Sequence, residues 1–162
     1  MLANVATAAP QRQIGTVSGL NAETSPLTAT TSGFAVERTA TETRVALAAD
    51  TLFAFDQATL TAAAQDNLRR TAALVQEGGA GSVTVTGYTD AKGEDAYNHA
   101  LSRRRAEAVV TWLKGPGGGA ARTFIAVGKG EADPVAPNAA PDGSDDPAGR
   151  AQNRRVVVSI PR

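Results

Sequence analysis

Between Leu60 and Ile160 the spacing of apolar residues switches between a helical period and a period of two, which confines the chain to folds where helices pack on a sheet. Leu60, Ala64, Leu68, Ala72 and Val75 make one helical stripe, with Thr61 as the expected N-cap and Gly78 and Gly79 as the stop. From Ser82 to Tyr88, Val83 and Val85 alternate with Thr84 and Thr86, a strand with one apolar face. A second helix is predicted from about Glu94 to Lys114, its apolar side carrying Tyr97, Leu101, Ala108, Val109, Trp112 and Leu113. Ser102 is placed to cap a restart within it, and GPGGG ends it. Thr123 to Val127 reads as a strand, residues 130 to 150 as a loop rich in Pro, Gly and Asp, and Arg154 to Ile160 as a last strand. Upstream, Phe34 and Val36, then Val45 and Leu47, flank the stretch Thr39 to Thr43 and predict a hairpin feeding the domain.

Strand, helix, strand, helix, strand, strand, joined by right-handed crossovers, puts both helices on one face. The predicted class is therefore α/β (α+β), a two-layer βαβαββ sandwich with a mixed sheet. A chain of 162 residues closes one such core. Residues 33 to 162 are expected to form the domain, with its core at 45 to 160, and residues 1 to 32, rich in Ala, Thr, Ser and Gly, to be a flexible tail or linker.

The start MLANVATAAPQRQIG has neither a basic n-region nor a continuous apolar run, so it reads as neither a signal peptide nor a membrane span. Met1 is read as the start of a fragment. Sixteen Lys and Arg balance sixteen Asp and Glu, so the positive field that nucleic acid or anionic lipid requires is absent and no nucleic-acid partner is expected. Without cysteine there is no disulfide framework, thiolate metal site or cysteine nucleophile, and the lone His99 excludes a multi-histidine metal site and leaves no ready triad base. No cofactor or metal is expected. Asp142, Ser144, Asp145 and Asp146 lack calcium-loop spacing, GPGGG follows a helix and so cradles no phosphate, and Trp112 reads as core.

Three segments carry the chemistry: LFAFD at 52 to 56, GYTDAKGEDAYNHALSRRRAEAV at 87 to 109, and GRAQNRRVVV at 149 to 158. Together, over about residues 45 to 160, they resemble the OmpA C-terminal domain family, which also includes the peptidoglycan-associated lipoprotein and the stator protein MotB. The resemblance implies a non-catalytic domain that binds peptidoglycan, with Asp90 and Arg105 at the positions that grip the free end of diaminopimelate in the stem peptide. Thr89, Asp56, Asn98 and Arg154 match further family contacts. It also implies a place in the periplasm of a Gram-negative bacterium, reached through an outer- or inner-membrane anchor missing here, and allows a homodimer. The residue types suit the ligand: a zwitterionic end needs a carboxylate for its ammonium and a planar guanidinium for its carboxylate. Arg154 shares strand parity with Val156, Val158 and Ile160, so it should point toward the helix layer and the Asp90 loop, whereas Arg155 belongs to the open face. Tyr88 stands where the family commonly has His, and the loop from Pro137 to Gly149 is unusually long and acidic.

Plainer roles exist for each residue taken alone. Asp90 before Gly93 suits an Asx-turn, Arg105 a solvated helix position or an ion pair with Asp90, Asn98 a helix cap, Asn153 a strand-entry turn, and Asp56 the cap of the next helix. Two other functions also remain open: a wall hydrolase using an acid pair from Asp56, Asp90 and Glu94, and a stator- or secretion-type anchor acting through protein contacts.

Overall fold

The computed structural model describes residues 33 to 162, so the expected tail lies outside the described residues. Strands β1 (Phe34–Arg38) and β2 (Glu42–Ala48) form the antiparallel hairpin, with Phe34 opposite Leu47 and Val36 opposite Val45. The five-stranded sheet runs β1-β2-β5-β3-β4, where β3 is Val83–Tyr88, β4 is Phe124–Gly128 and β5 is Arg155–Pro161. β5 is antiparallel to both neighbours and β4 is parallel to β3, which makes the sheet mixed as expected. The last two strands are consecutive in sequence but not adjacent. β5 takes the centre because Val156, Val158 and Ile160 give it a continuous apolar face, all 0% exposed.

Short helix α1 (Ala49–Leu52) follows β2, and the long helices α2 (Ala64–Glu77) and α3 (Asp95–Lys114) cover one face. Leu68 and Val75 of α2 and Val109 and Leu113 of α3 close over Val45, Leu47, Val83, Val85 and Val158 in one cluster. Each of these side chains removed from water contributes roughly 1.5–3 kcal/mol, which makes this layer the main source of stability.

Several boundaries differ from the sequence reading. Helix α2 starts at Ala64, after Leu60 has paired with Phe53 in an isolated bridge; Thr61 Oγ1 accepts from Ala64 N, but the N-cap itself is Ala63 with no side-chain bond. Ser102 starts no new helix. It is fully buried within unbroken α3, where its Oγ donates to the His99 carbonyl and accepts from Gly130 N at 2.9 Å. The segment read as loop up to residue 150 ends in a further helix, α4 (Pro147–Asn153), started by Asp146 Oδ1 accepting from Gly149 N, with Pro147 in its first turn. Tyr97 leaves the apolar stripe and is 44% exposed, whereas Trp112 is core.

α3 approaches the sheet closely where glycines permit it. A Cβ on Gly87 would stand 2.0 Å from the Ser102 carbonyl oxygen, and one on Gly128 2.5 Å from Arg103 N. This closeness carries the first turns of α3 to the carboxyl end of β3. Among the described residues neither long helix covers the opposite face, where a hollow of about 790 Å³ is lined by aliphatic residues such as Ala35, Ala46 and Val157 and by Ala151 and Gln152 of α4. Arg155 there lies 3.8 Å above the Tyr88 ring, on the open face that its parity assigned to it.

Candidate functional site

The buried stripe of α3 changes character along its length. Val109, Trp112 and Leu113 at its lower end are core, whereas Asn98, Leu101 and Arg105 at its upper end line a pocket of about 650 Å³. The other walls come from Asp50 of α1, the 53 to 56 segment, the Thr89 to Gly93 loop after β3, and Arg150 and Arg154 at α4. All six residues singled out by the resemblance, Asp56, Thr89, Asp90, Asn98, Arg105 and Arg154, lie in this one pocket.

Asp90 is 7% exposed, and its carboxylate is already engaged. Oδ1 accepts from Lys92 N at 3.0 Å, the Asx-turn expected of an Asp in this loop. Oδ2 accepts from Arg154 Nη1 at 2.6 Å and from Arg150 Nη1 at 3.3 Å. Burial works to raise its pKa, but the hydrogen bonds from Arg154 and Lys92 N and the arginine charges prevail and hold the carboxyl below its ordinary value. The ion partners of Asp90 are therefore Arg154 and Arg150, and the Asp90 to Arg105 pair considered from sequence does not form.

Arg105 is 5% exposed yet has no carboxylate within ion-pair distance among the described residues. Its Nε donates to the Gln57 carbonyl at 2.9 Å and its guanidinium carbon lies 5.3 Å from the Phe53 ring centre. Burial lowers its pKa, opposed by the through-space pull of Asp50 and Asp56. A guanidinium so far above neutrality stays charged. Among the described residues its Nη groups meet no carboxylate, which leaves them for a partner from outside these residues.

The remaining predicted residues frame this pair. Thr89 Oγ1 donates to the Asp90 carbonyl at 2.9 Å. Asn98 does not cap α3; its Nδ2 donates to the Lys92 carbonyl at 2.8 Å and so ties down the loop that carries Asp90. Asp56 caps no helix either. It sits at φ 57 and accepts from Tyr97 Oη at 2.6 Å across the pocket mouth. Arg154 points into the pocket, as its parity required, and donates through Nε and Nη2 to Asp50, both at 2.9 Å.

Sequence reasoning missed Asp50, Tyr97, Arg150 and Asp145. Arg150 grips Asp145 through Nε and Nη2, both at 2.7 Å; the signals in the sequence were its place in the GRAQNRRVVV segment and its four-residue spacing from Arg154, about one helical turn. Asn153 does more than turn the chain. Its side chain binds Val135 N, Ala136 N, the Ala136 carbonyl and Asn138 Oδ1, and Asn138 Oδ1 also accepts from Ala91 N. The long loop is thus fastened to the Asp90 loop. Among the described residues no cluster of His, Cys, Asp and Glu could hold a metal ion, and no helix is long and apolar enough to cross a membrane.

A single-core α+β domain whose helix ends and loops converge on a charged, largely prebuilt pocket defines the class. The family model described as "OmpA family" matches residues 52 to 146, and the chain belongs to that family. It is similar to the cell wall anchor of the T6SS from Pseudomonas aeruginosa, with 34% identity, a TM-score of 0.66, and coverage of 79% of this chain and 87% of that one. It is 47% identical over 109 residues to the photosystem I P700 chlorophyll a apoprotein A2 of Gloeobacter violaceus, spanning 67% of this chain and 12% of that protein. It is 40% identical over 111 residues to outer membrane porin F of Pseudomonas fluorescens, spanning 68% of this chain and 32% of that protein. The chain thus spans only a minor part of these two curated relatives.

Proposed function

We propose that the domain binds peptidoglycan through the free, zwitterionic end of diaminopimelate and so anchors a cell-envelope protein to the wall. One observation carries the reading: a buried carboxylate, Asp90, and a buried guanidinium with no carboxylate partner among the described residues, Arg105, line the same open pocket. The ammonium would lie against Asp90 and the carboxylate against the Nη edge of Arg105, each as a charge-assisted hydrogen bond. Similarity to a solved cell wall anchor supports the reading. Membership in a family named for an outer-membrane protein points to the Gram-negative periplasm, with a membrane anchor outside the described residues. The pocket is better suited to holding than to cutting, because a general acid needs a raised pKa and Asp90 is held low.

The test is co-sedimentation with purified sacculi containing diaminopimelate, with soluble meso-diaminopimelate as competitor. The parent should pellet and be released by competitor, and Arg105→Ala should stay in the supernatant while keeping its circular dichroism spectrum. A parent that does not pellet, or that pellets without being displaced, refutes the assignment.

A further inference from the structure

Asp90 belongs to a five-membered ionic network built the same way on both sides. Arg154 gives its Nε and Nη2 edge to Asp50 and its Nη1 to Asp90. Arg150 gives its Nε and Nη2 edge to Asp145 and its Nη1 to Asp90. Three carboxylates face two guanidiniums, so the network holds one negative charge in excess, beside Arg105, which has no ion-pair partner among the described residues. Without the outer acids, two arginines would overcompensate Asp90, and the pocket would present three guanidiniums to its ligand.

Resting on the reading of the pocket as a site for a zwitterion, we infer that Asp145, on the acidic loop before α4, determines its specificity by holding Arg150 so that Asp90 keeps negative charge to offer an ammonium. Asp145 does not line the pocket, and its side chain is 48% exposed, so it acts through Arg150. The contact it controls is the longer of the two on Asp90 Oδ2, 3.3 Å from Arg150 against 2.6 Å from Arg154. With its stronger partner removed, Arg150 is free to turn its donors fully onto Asp90. The ammonium then meets a neutral network. Asp50 plays the equivalent part for Arg154, but it lines the pocket itself and so cannot be tested without disturbing the site.

The experiment is calorimetric titration of the full chain with meso-diaminopimelate and with pimelate, which has the same seven-carbon dicarboxylate skeleton and no amino groups. Asp145→Asn should weaken meso-diaminopimelate about tenfold, as expected for one partly screened charge, and leave pimelate as tight or tighter. Asp145→Glu should restore the parent's ratio. Unchanged discrimination in Asp145→Asn overturns the inference, and an equal loss for both ligands overturns it in favour of a purely structural loop. A parent that fails to prefer meso-diaminopimelate over pimelate instead removes the zwitterion reading on which the inference stands.

Discussion

Replacing Asp90 by Asn keeps the side chain's shape and takes one charge from the centre of the network. Removing one member of a fully buried ion pair costs roughly 3–5 kcal/mol. Here the loss is smaller: Arg154 keeps Asp50, the pocket admits water, and the Asn oxygen can still accept from Arg154 Nη1. About 1–2 kcal/mol is expected, or a urea midpoint lower by about 1 M at ordinary slopes. Trp112, the single tryptophan, is 8% exposed with its Nε1 bonded to Gln65, and its fluorescence reports the unfolding. The pH dependence has a definite sign. The Asp90 carboxyl is held below its ordinary value when folded, so on acidification the unfolded chain takes the proton first. Its stabilisation is whole above about pH 4 and drains away as pH falls through the lower folded value. The stability gap between parent and Asp90→Asn should therefore be widest near pH 6 and shrink toward pH 3. Asp142, also held low, lies outside the network, is common to both proteins and cancels in that gap. Affinity for meso-diaminopimelate should fall about ten- to a hundredfold, the worth of one charge-assisted hydrogen bond. A gap that stays constant across this pH range would refute the account of the network, and undiminished binding would refute Asp90 as the ammonium's partner.

Arg105→Lys should keep the charge, lose the fork that presents two parallel donors, and weaken meso-diaminopimelate binding by about tenfold or more in the same titration. Gly87→Ala forces a Cβ to within 2.0 Å of the Ser102 carbonyl, so α3 must lift from the sheet; a thermal melt should show a loss of at least about 3 kcal/mol or no folded protein. Ser102→Ala leaves the buried Gly130 N without its acceptor and should cost about 1–3 kcal/mol by urea denaturation, with the circular dichroism spectrum preserved.

Periodicity alone determined a good deal of this protein. The helical stripe of α2, the alternation of β3, the apolar face of β5 and the single covered side of the sheet all follow from the spacing of apolar side chains, a property of neighbouring residues. The inward direction of Arg154 was legible for the same reason, since alternation passes from Val156 back to it. The motif segments also identified the walls of the pocket: all six residues read from them line it. Tertiary structure decided what those residues do to one another. The central place of β5 depends on pairing with strands far away in the chain, and Arg154 meets Asp50 across 104 positions and Asp90 across 64. Tyr97 followed the helical period but stands at the upper end of α3, beyond the sheet that buries Val109 and Leu113, so its hydroxyl reaches Asp56 instead of the core. Arg150 and Asp145 lie in a stretch with no apolar rhythm, and the folding of that stretch, with Asn138 bridging Asn153 and Ala91 N, sets Arg150 between Asp145 and Asp90. Hydrophobic spacing writes a local face into the chain, whereas the choice of partner for a charge is settled by distances that exist only after the core has closed.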